Sequence, residues 1–331
     1  MVEIDNIDKR LLNILQNDFP IVENPFVQIG KILNISEDEI IYRIKTLKDE
    51  KKVIRQISPI FDSKKLGYKS SLIACKLTEE EIDKKAEIIN EHPGVSHNYK
   101  RDCEYNLWFT IAVSPHYDLE EKCKELLENA NITDFMILPA LKMYKLGVKF
   151  DLESDVIRSN YDSHIHIYNN ESNIKDDLKE KEIDYIKILQ DDLPLVHSPF
   201  KIIAQRNNIS QNELINSIKQ FLKEGKMRRF SAILNHRNAG FLFNAMVVWN
   251  VPEEKIDEYG AIISGFESVS HCYKRPTFPN WHYSLYSMIH ARTEEIYKNV
   301  VDLIVKKINP YDFKMLLSLK EYKKERIRYF I

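Results

Sequence analysis

His97, Tyr99, Lys100 and Arg101 fall within one short stretch, "HNYKR". The same types return 174 positions later as His271, Tyr273, Lys274 and Arg275 in "HCYKR". Each type brings a defined chemistry. Imidazole changes its protonation near neutral pH and also ligates metals. A phenol both donates and accepts a hydrogen bond. Lysine and arginine grip anions, arginine through two parallel N–H groups. Two such clusters are suited to hold an anionic molecule between them and to move protons on it.

The clusters belong to a longer repeat. "LQNDFPIVENPF" (15–26) parallels "LQDDLPLVHSPF" (189–200), "VIRQIS" (53–58) parallels "MRRFSA" (227–232), and Arg55 falls on Arg229, with Arg228 beside it. "LPALKMYK" parallels "LLSLKEYK", and "NLWF" (106–109) parallels "SLYS" (284–287) after a four-residue insertion in the second copy. The chain is therefore a tandem duplication. A polar, acidic stretch without apolar periodicity separates the copies and reads as a linker.

Each copy divides in two. Ile7, Leu11, Leu12 and Leu15 share one helical face. Ser36 with Glu39, and Ser210 with Glu213, have the spacing of helix N-caps. Three helices closed by a β-rich segment predict a winged helix-turn-helix with a hairpin wing. After it, a strand over 70–77, a helix near 79–91, strands near 95–100 and 105–113, a helix near 117–129 and a strand near 133–145 give the order βαββαβ, a ferredoxin-like unit. The predicted class is α+β. Winged helix-turn-helix units cover 1–62 and 182–235, ferredoxin-like units 63–150 and 236–331, and the linker 151–181. The His-x-Tyr-Lys-Arg clusters then end the second strand of each ferredoxin-like unit.

The 331 residues carry a net charge of only −2, so no overall field draws the chain to nucleic acid or to a membrane surface. Four cysteines without a C-x-x-C pair argue against a zinc or iron–sulfur site and suit a reducing compartment, the cytoplasm. No run approaches the roughly 20 apolar residues of a membrane span.

A winged helix followed by βαββαβ is the layout of the Lrp/AsnC transcription regulators, and a ligand-sensing regulator is one reading. However, the second turn helix opens with Glu37, Asp38 and Glu39, and its counterpart with Gln211, Asn212 and Glu213. A phosphate backbone repels the first set and gains nothing from the second. No nucleic-acid partner is expected.

The strings "Q-x-D-x-P-x4-PF" and "H-[NC]-Y-x-R", present in both copies, are more specific than the layout. Through them the chain resembles the siroheme decarboxylases, with two related subunits fused into one chain. The resemblance covers nearly all of 1–150 and 182–331. It implies removal of carbon dioxide from the C12 and C18 acetates of siroheme, giving 12,18-didecarboxysiroheme. It implies no cofactor beyond the iron that the substrate carries. It also implies a pseudo-dimer within the chain, with further pairing of whole chains as an option.

For such a substrate, His97 and His271 are the candidate general acids, with Tyr99 and Tyr273 as proton relays or propionate contacts. Axial ligation of the iron by either histidine is the rival role. Candidate carboxylate anchors are Lys100, Arg101, Lys274, Arg275, Arg55, Arg228, Arg229, Lys323 and Arg326, and candidate aromatic walls are Trp108 and Trp281. His282 is a weaker candidate, as are His164, His166, His197 and His236. A haem-binding sensor that never turns over would use the same pocket.

Overall fold

Ser36 and Ser210 accept from the backbone N–H of Glu39 and Glu213, at 3.2 and 3.1 Å, and so start the second turn helix of each copy. The capping glutamates do not reach back: Glu39 pairs with Arg43 and Glu213 with Lys181 and Tyr185. The computed structural model describes residues 4–17, 19–147, 178–235 and 243–331. The linker histidines His164 and His166, together with His236, lie outside the described residues.

The first copy begins with α1 (Asn6–Asn17), α2 (Pro25–Leu33) and α3 (Glu37–Lys45), and the second with α6 (Glu180–Leu189), α7 (Pro199–Arg206) and α8 (Gln211–Glu224). Their apolar faces meet in one core rather than two. Leu11, Phe26, Ile40, Ile186, Phe200 and Phe221 share a single cluster. The predicted hairpin wing is not formed within a copy. Strand β1 (Ile54–Phe61) instead pairs antiparallel with β7 (Met227–Leu234), with Ser58 opposite Ser231. A single strand cannot satisfy its backbone groups alone, and the sister wing supplies the ladder. The two turn motifs also touch directly, because His197 lies 2.7 Å from Glu37.

The ferredoxin-like unit of the first copy holds β2 (Lys69–Cys75), α4 (Ile82–Glu91), β3 (Val95–Arg101), β4 (Leu107–Val113), α5 (Leu119–Asn129) and β5 (Phe135–Pro139). A further strand, β6 (Lys142–Leu146), follows. The second unit runs β8 (Phe243–Asn250), α9 (Ile256–Ser264), β9 (Val269–Lys274), β10 (Leu285–Ala291), α10 (Glu294–Ile308) and β11 (Asp312–Lys324). The strand expected over 133–145 is broken. Its first part, β5, pairs with β2, and its second, β6, crosses to β9 of the other copy. Pro139 removes a ladder donor at the break. In the second copy Leu317 holds the matching position and β11 continues unbroken, pairing first with β8 and then with β3 of the first copy. The last strand of each copy thus completes the edge of the other's sheet.

The opposite faces of the two sheets form an inter-sheet core of Ala74, Trp108, Met136, Leu138, Met246, Val248, Trp281, Tyr286 and Leu316. The ferredoxin-like units therefore pack against each other as a pseudo-dimer.

Tyr144 of β6 reaches into the second unit and lies on Gly260 of α9. A β-carbon there would stand 2.6 Å from the ring. The phenol is anchored on Asp257 at 2.5 Å, so the ring has little room to retreat. Gly260→Ala is expected to lower stability by about 1–3 kcal/mol, read as a shift in the urea midpoint at constant slope. An unchanged midpoint would mean that the β6–α9 contact yields freely.

Candidate active site

Strand alternation sorts the two clusters. On β3, His97, Tyr99 and Arg101 lie on one face. Asn98 and Lys100 lie on the other, where Asn98 donates to Ala86 O and Lys100 pairs with Glu79. On β9, His271, Tyr273 and Arg275 share the matching face, while Lys274 turns outward to Glu253 at 2.8 Å. Lys100 and Lys274 are thus removed from the candidate anchors, because an odd offset from the histidine places a strand residue on the wrong side. Lys323 is removed for the same reason. Its Nζ donates to Asn90 O at 2.6 Å beneath α4, and Lys324 is the residue cross-strand from His97.

Arg101 and Arg275 face the right way but are committed elsewhere. Arg101 donates to Leu316 O at 2.8 Å and Arg275 to Leu138 O, each a strand carbonyl of the other copy. Their guanidinium carbons lie 5.5 and 4.9 Å from the ring centres of Tyr99 and Tyr273. They latch the two sheets together and support the tyrosines from behind. Trp108 and Trp281 are each 1% exposed and stand 5.7 Å apart within the inter-sheet core. They fill the pseudo-dimer interface and are not the walls of an open pocket.

The histidines are aimed by a shared backbone device. Each follows a one-residue bulge, at Ser96 in β3 and at Ser270 in β9. A bulge locally re-aims the side chains beside it. The bulged serines hydrogen-bond the rings, with Ser96 Oγ 2.9 Å from His97 Nδ1 and Ser270 Oγ 2.7 Å from His271 Nδ1. Burial holds both imidazoles near a pKa of about 4, well below the usual 6.5. Lys324 and Arg55 push His97 the same way. On His271 the next contribution after burial comes from His97 itself, followed by Arg228, Arg275 and Lys145. His97 therefore lies within electrostatic reach of His271.

Guanidinium groups from both wings lie within electrostatic reach of these rings, Arg55 of His97 and Arg228 of His271. Arg228 pairs with Asp62 at 2.9 Å. Arg229 is depressed by burial and by Arg228. Arg326 is depressed to about 10, first by burial and further by Arg229. Its guanidinium donates to Ser58 Oγ at 2.5 Å and to Pro59 O at 2.8 Å, tying the C-terminal segment beneath the wing ribbon. Arg228, Arg229 and Arg326 are therefore brought together, whereas Arg55 stands at the other end of the wing ribbon, since Ile54 lies opposite Leu234 and Ile60 opposite Arg229. Cations that depress one another gain from an anionic guest.

The halves are not equivalent. Lys324 and Glu321 stand cross-strand from His97 and Tyr99, and Leu146 and Met143 from His271 and Tyr273. Tyr99 donates to Glu321 at 3.3 Å. His282 is exposed on its loop. The site residues that the sequence reading left out are Ser96, Ser270, Glu321 and His290. The serines had a visible signal, since the repeat is V-S-H-x-Y-K-R. Among the described residues no group of three or more His, Cys, Asp or Glu is placed to hold a metal ion.

The depressed histidines set an acid dependence. An unfolded chain protonates them near 6.5 and the folded chain only near 4, so between these values the unfolded state binds more protons and stability rises with pH. The melting temperature is expected to fall as the pH drops from 6.5 toward 4. His97→Asn/His271→Asn should flatten that fall, leaving the smaller contribution of His92, which is shifted in the same direction. Equal slopes would show that neither imidazole is buried neutral.

Two winged helix-turn-helix units, each followed by a ferredoxin-like unit, with the paired units packed together, define an Lrp/AsnC-like fold. An "AsnC-like ligand binding domain" is matched at residues 65–145 and 238–323, and a "Siroheme decarboxylase NirDL-like HTH domain" at 8–55 and 181–228. The chain is 37% identical to the siroheme decarboxylase of Hydrogenobacter thermophilus over 97% of its own length and 94% of the relative's. The crystal structure of the siroheme decarboxylase NirDL superposes with a TM-score of 0.74 at 33% identity, covering 99% of this chain and 95% of that one. Its complex with an iron-uroporphyrin III analogue superposes at 0.73 and 33% identity, covering 98% and 95%. The chain belongs to the siroheme decarboxylase family, with both related halves in one polypeptide. No helix among the described residues is long and apolar enough to cross a membrane.

Proposed function

We propose that the chain is a carboxy-lyase that removes carbon dioxide from the C12 and C18 acetates of siroheme. The observation that carries this reading is the pair of buried histidines, each fixed by a bulged serine and each within electrostatic reach of a wing guanidinium group. The kinship with siroheme decarboxylases supports the substrate class. So does the complex of the NirDL structure with an iron-porphyrin analogue.

In this reading Arg55, Arg229 and Lys324 hold the substrate's carboxylates, while Arg326, donating to Ser58 and Pro59, and Arg228, paired with Asp62, support them. Breaking the bond between an acetate methylene and its carboxylate leaves an electron pair on the methylene carbon, conjugated with a pyrrole. A proton must then make the methyl group. His97 and His271 are the donors. Tyr99 and Tyr273 orient the guest. The iron arrives with the substrate, and the neutral imidazoles also have the protonation state needed for axial ligation. No further cofactor takes part.

The test is anaerobic incubation of the purified protein with siroheme, followed by mass spectrometry. Loss of two carbon dioxide masses is expected. Binding without mass change would make the chain a carrier or sensor, and absence of binding would remove siroheme as its ligand.

A further inference from the structure

The two histidines differ in what stands behind them. Behind His97 the chain of hydrogen bonds reaches Ser96. The next position on that face, on β4, is Ala112, which carries no polar group. Behind His271, Ser270 Oγ lies 2.7 Å from His271 Nδ1 and 2.8 Å from His290 Nε2. His290 sits on β10 at the position that Ala112 holds in the first copy: both backbone N–H groups donate to the residue two before the bulged serine, Ser268 and Gly94. The second copy thus carries a three-member line, imidazole–hydroxyl–imidazole, that the first lacks.

A line of this kind solves a specific difficulty. A neutral imidazole is a poor acid, because losing its proton leaves an anion. It becomes competent when a second proton reaches its other nitrogen as the first departs. Ser270 has one O–H to give and lone pairs to receive, and both partners are rings that can carry a proton on the facing nitrogen.

We propose that His290 and Ser270 form a proton relay that makes His271, rather than His97, the principal proton donor of the decarboxylation. The inference rests on the decarboxylase reading. The carbon–carboxylate bond breaks, its electron pair stays on the methylene carbon and carbon dioxide leaves. The Nε2 proton of His271 passes to that carbon. The Ser270 hydroxyl proton passes to His271 Nδ1, and the Nε2 proton of His290 passes to Ser270 Oγ. His290 takes part as the imidazolium, so the step leaves it a neutral ring and not an anion; it is recharged, and the rings return to their starting tautomers, by proton exchange once product has left. One solvent proton is consumed per carbon dioxide released. His290 and Ser270 touch no substrate atom and are positioning residues.

The test compares wild type, His290→Asn and Ser270→Ala with siroheme in single-turnover assays by mass spectrometry, alongside absorbance titrations of binding. His290→Asn keeps a donor to Ser270 but cannot pass a proton on. It is expected to bind siroheme within about 2-fold of wild type and to release carbon dioxide about 10²-fold more slowly, with partial recovery when imidazole is added. Ser270→Ala breaks the bridge, and its loss should not respond to imidazole. Wild-type turnover beside an unaffected His290→Asn overturns the relay alone, as does a loss in rate matched by an equal loss in binding. A wild type that binds siroheme without mass change overturns the decarboxylase reading, and the relay with it.

Discussion

His271→Ala slows carbon dioxide release by about 10²–10⁴-fold, the range for removal of a positioned general acid, while siroheme still binds. The expectation has two parts. The ring is aimed by the Ser270 bulge, and no neighbour replaces it: Arg275 is committed to Leu138 O, and Lys145 points beneath α9 to Phe266 O at 2.7 Å. Binding survives because the carboxylate grip comes from the wings and the C-terminal segment rather than from β9. His97→Ala should also lower the rate, but less, since the Lys324 ammonium stays cross-strand from that position. Single-turnover mass spectrometry with a binding titration separates the two parts. A His271→Ala enzyme at wild-type rate removes the histidine from the chemistry. One that no longer binds siroheme makes it an anchor, as an axial ligand would be.

The second large effect is on stability. Trp281→Ala is expected to cost about 3–5 kcal/mol, the range for emptying a fully buried aromatic site. Trp281 is 1% exposed, packs edge-on against Tyr105 and Tyr283 at 5.7 and 5.0 Å, and donates to Tyr286 Oη at 2.7 Å. It comes from the longer loop of the second copy, and the first copy has no equivalent ring to slide into the void. Trp281→Ala would leave both sheets facing a cavity and the Tyr286 hydroxyl short of a partner. Urea unfolding measures the loss. A change below about 1 kcal/mol would mean that the inter-sheet core collapses around the gap.

The repeat, the order of elements and the two histidines were legible because each is local: a cap pair, an apolar period, a motif. The exchange of edges was not. Periodicity shows that 133–145 is extended but not which strand lies beside it, and only Pro139 hinted that the segment breaks. The basic residues were misjudged for a different reason. Counting cations near a histidine ignores strand alternation, and alternation alone separates Lys324 from Lys323 and sets Lys100 and Lys274 aside. Arg101 and Arg275 recur in the same context for a structural reason, as latches between the sheets. Ser96 and Ser270 were in view but carry no charge. His290 has no counterpart in the first copy, so a comparison of repeats passes over it.

The reciprocal edge strands also govern how the molecule is born. When the first copy leaves the ribosome, β1 has no ladder partner and the outer edge of β3 lies open, since β7 and β11 are not yet made. The first gap cannot close until Leu234 has been made, and the second not until Lys324, almost the whole chain. Pairing over such separations is slow, and an open strand edge is a template for other nascent chains. Carrying both halves on one polypeptide delivers the correct strand at high local concentration as soon as it is made. Fusion therefore favours the right pairing over the collision of strangers.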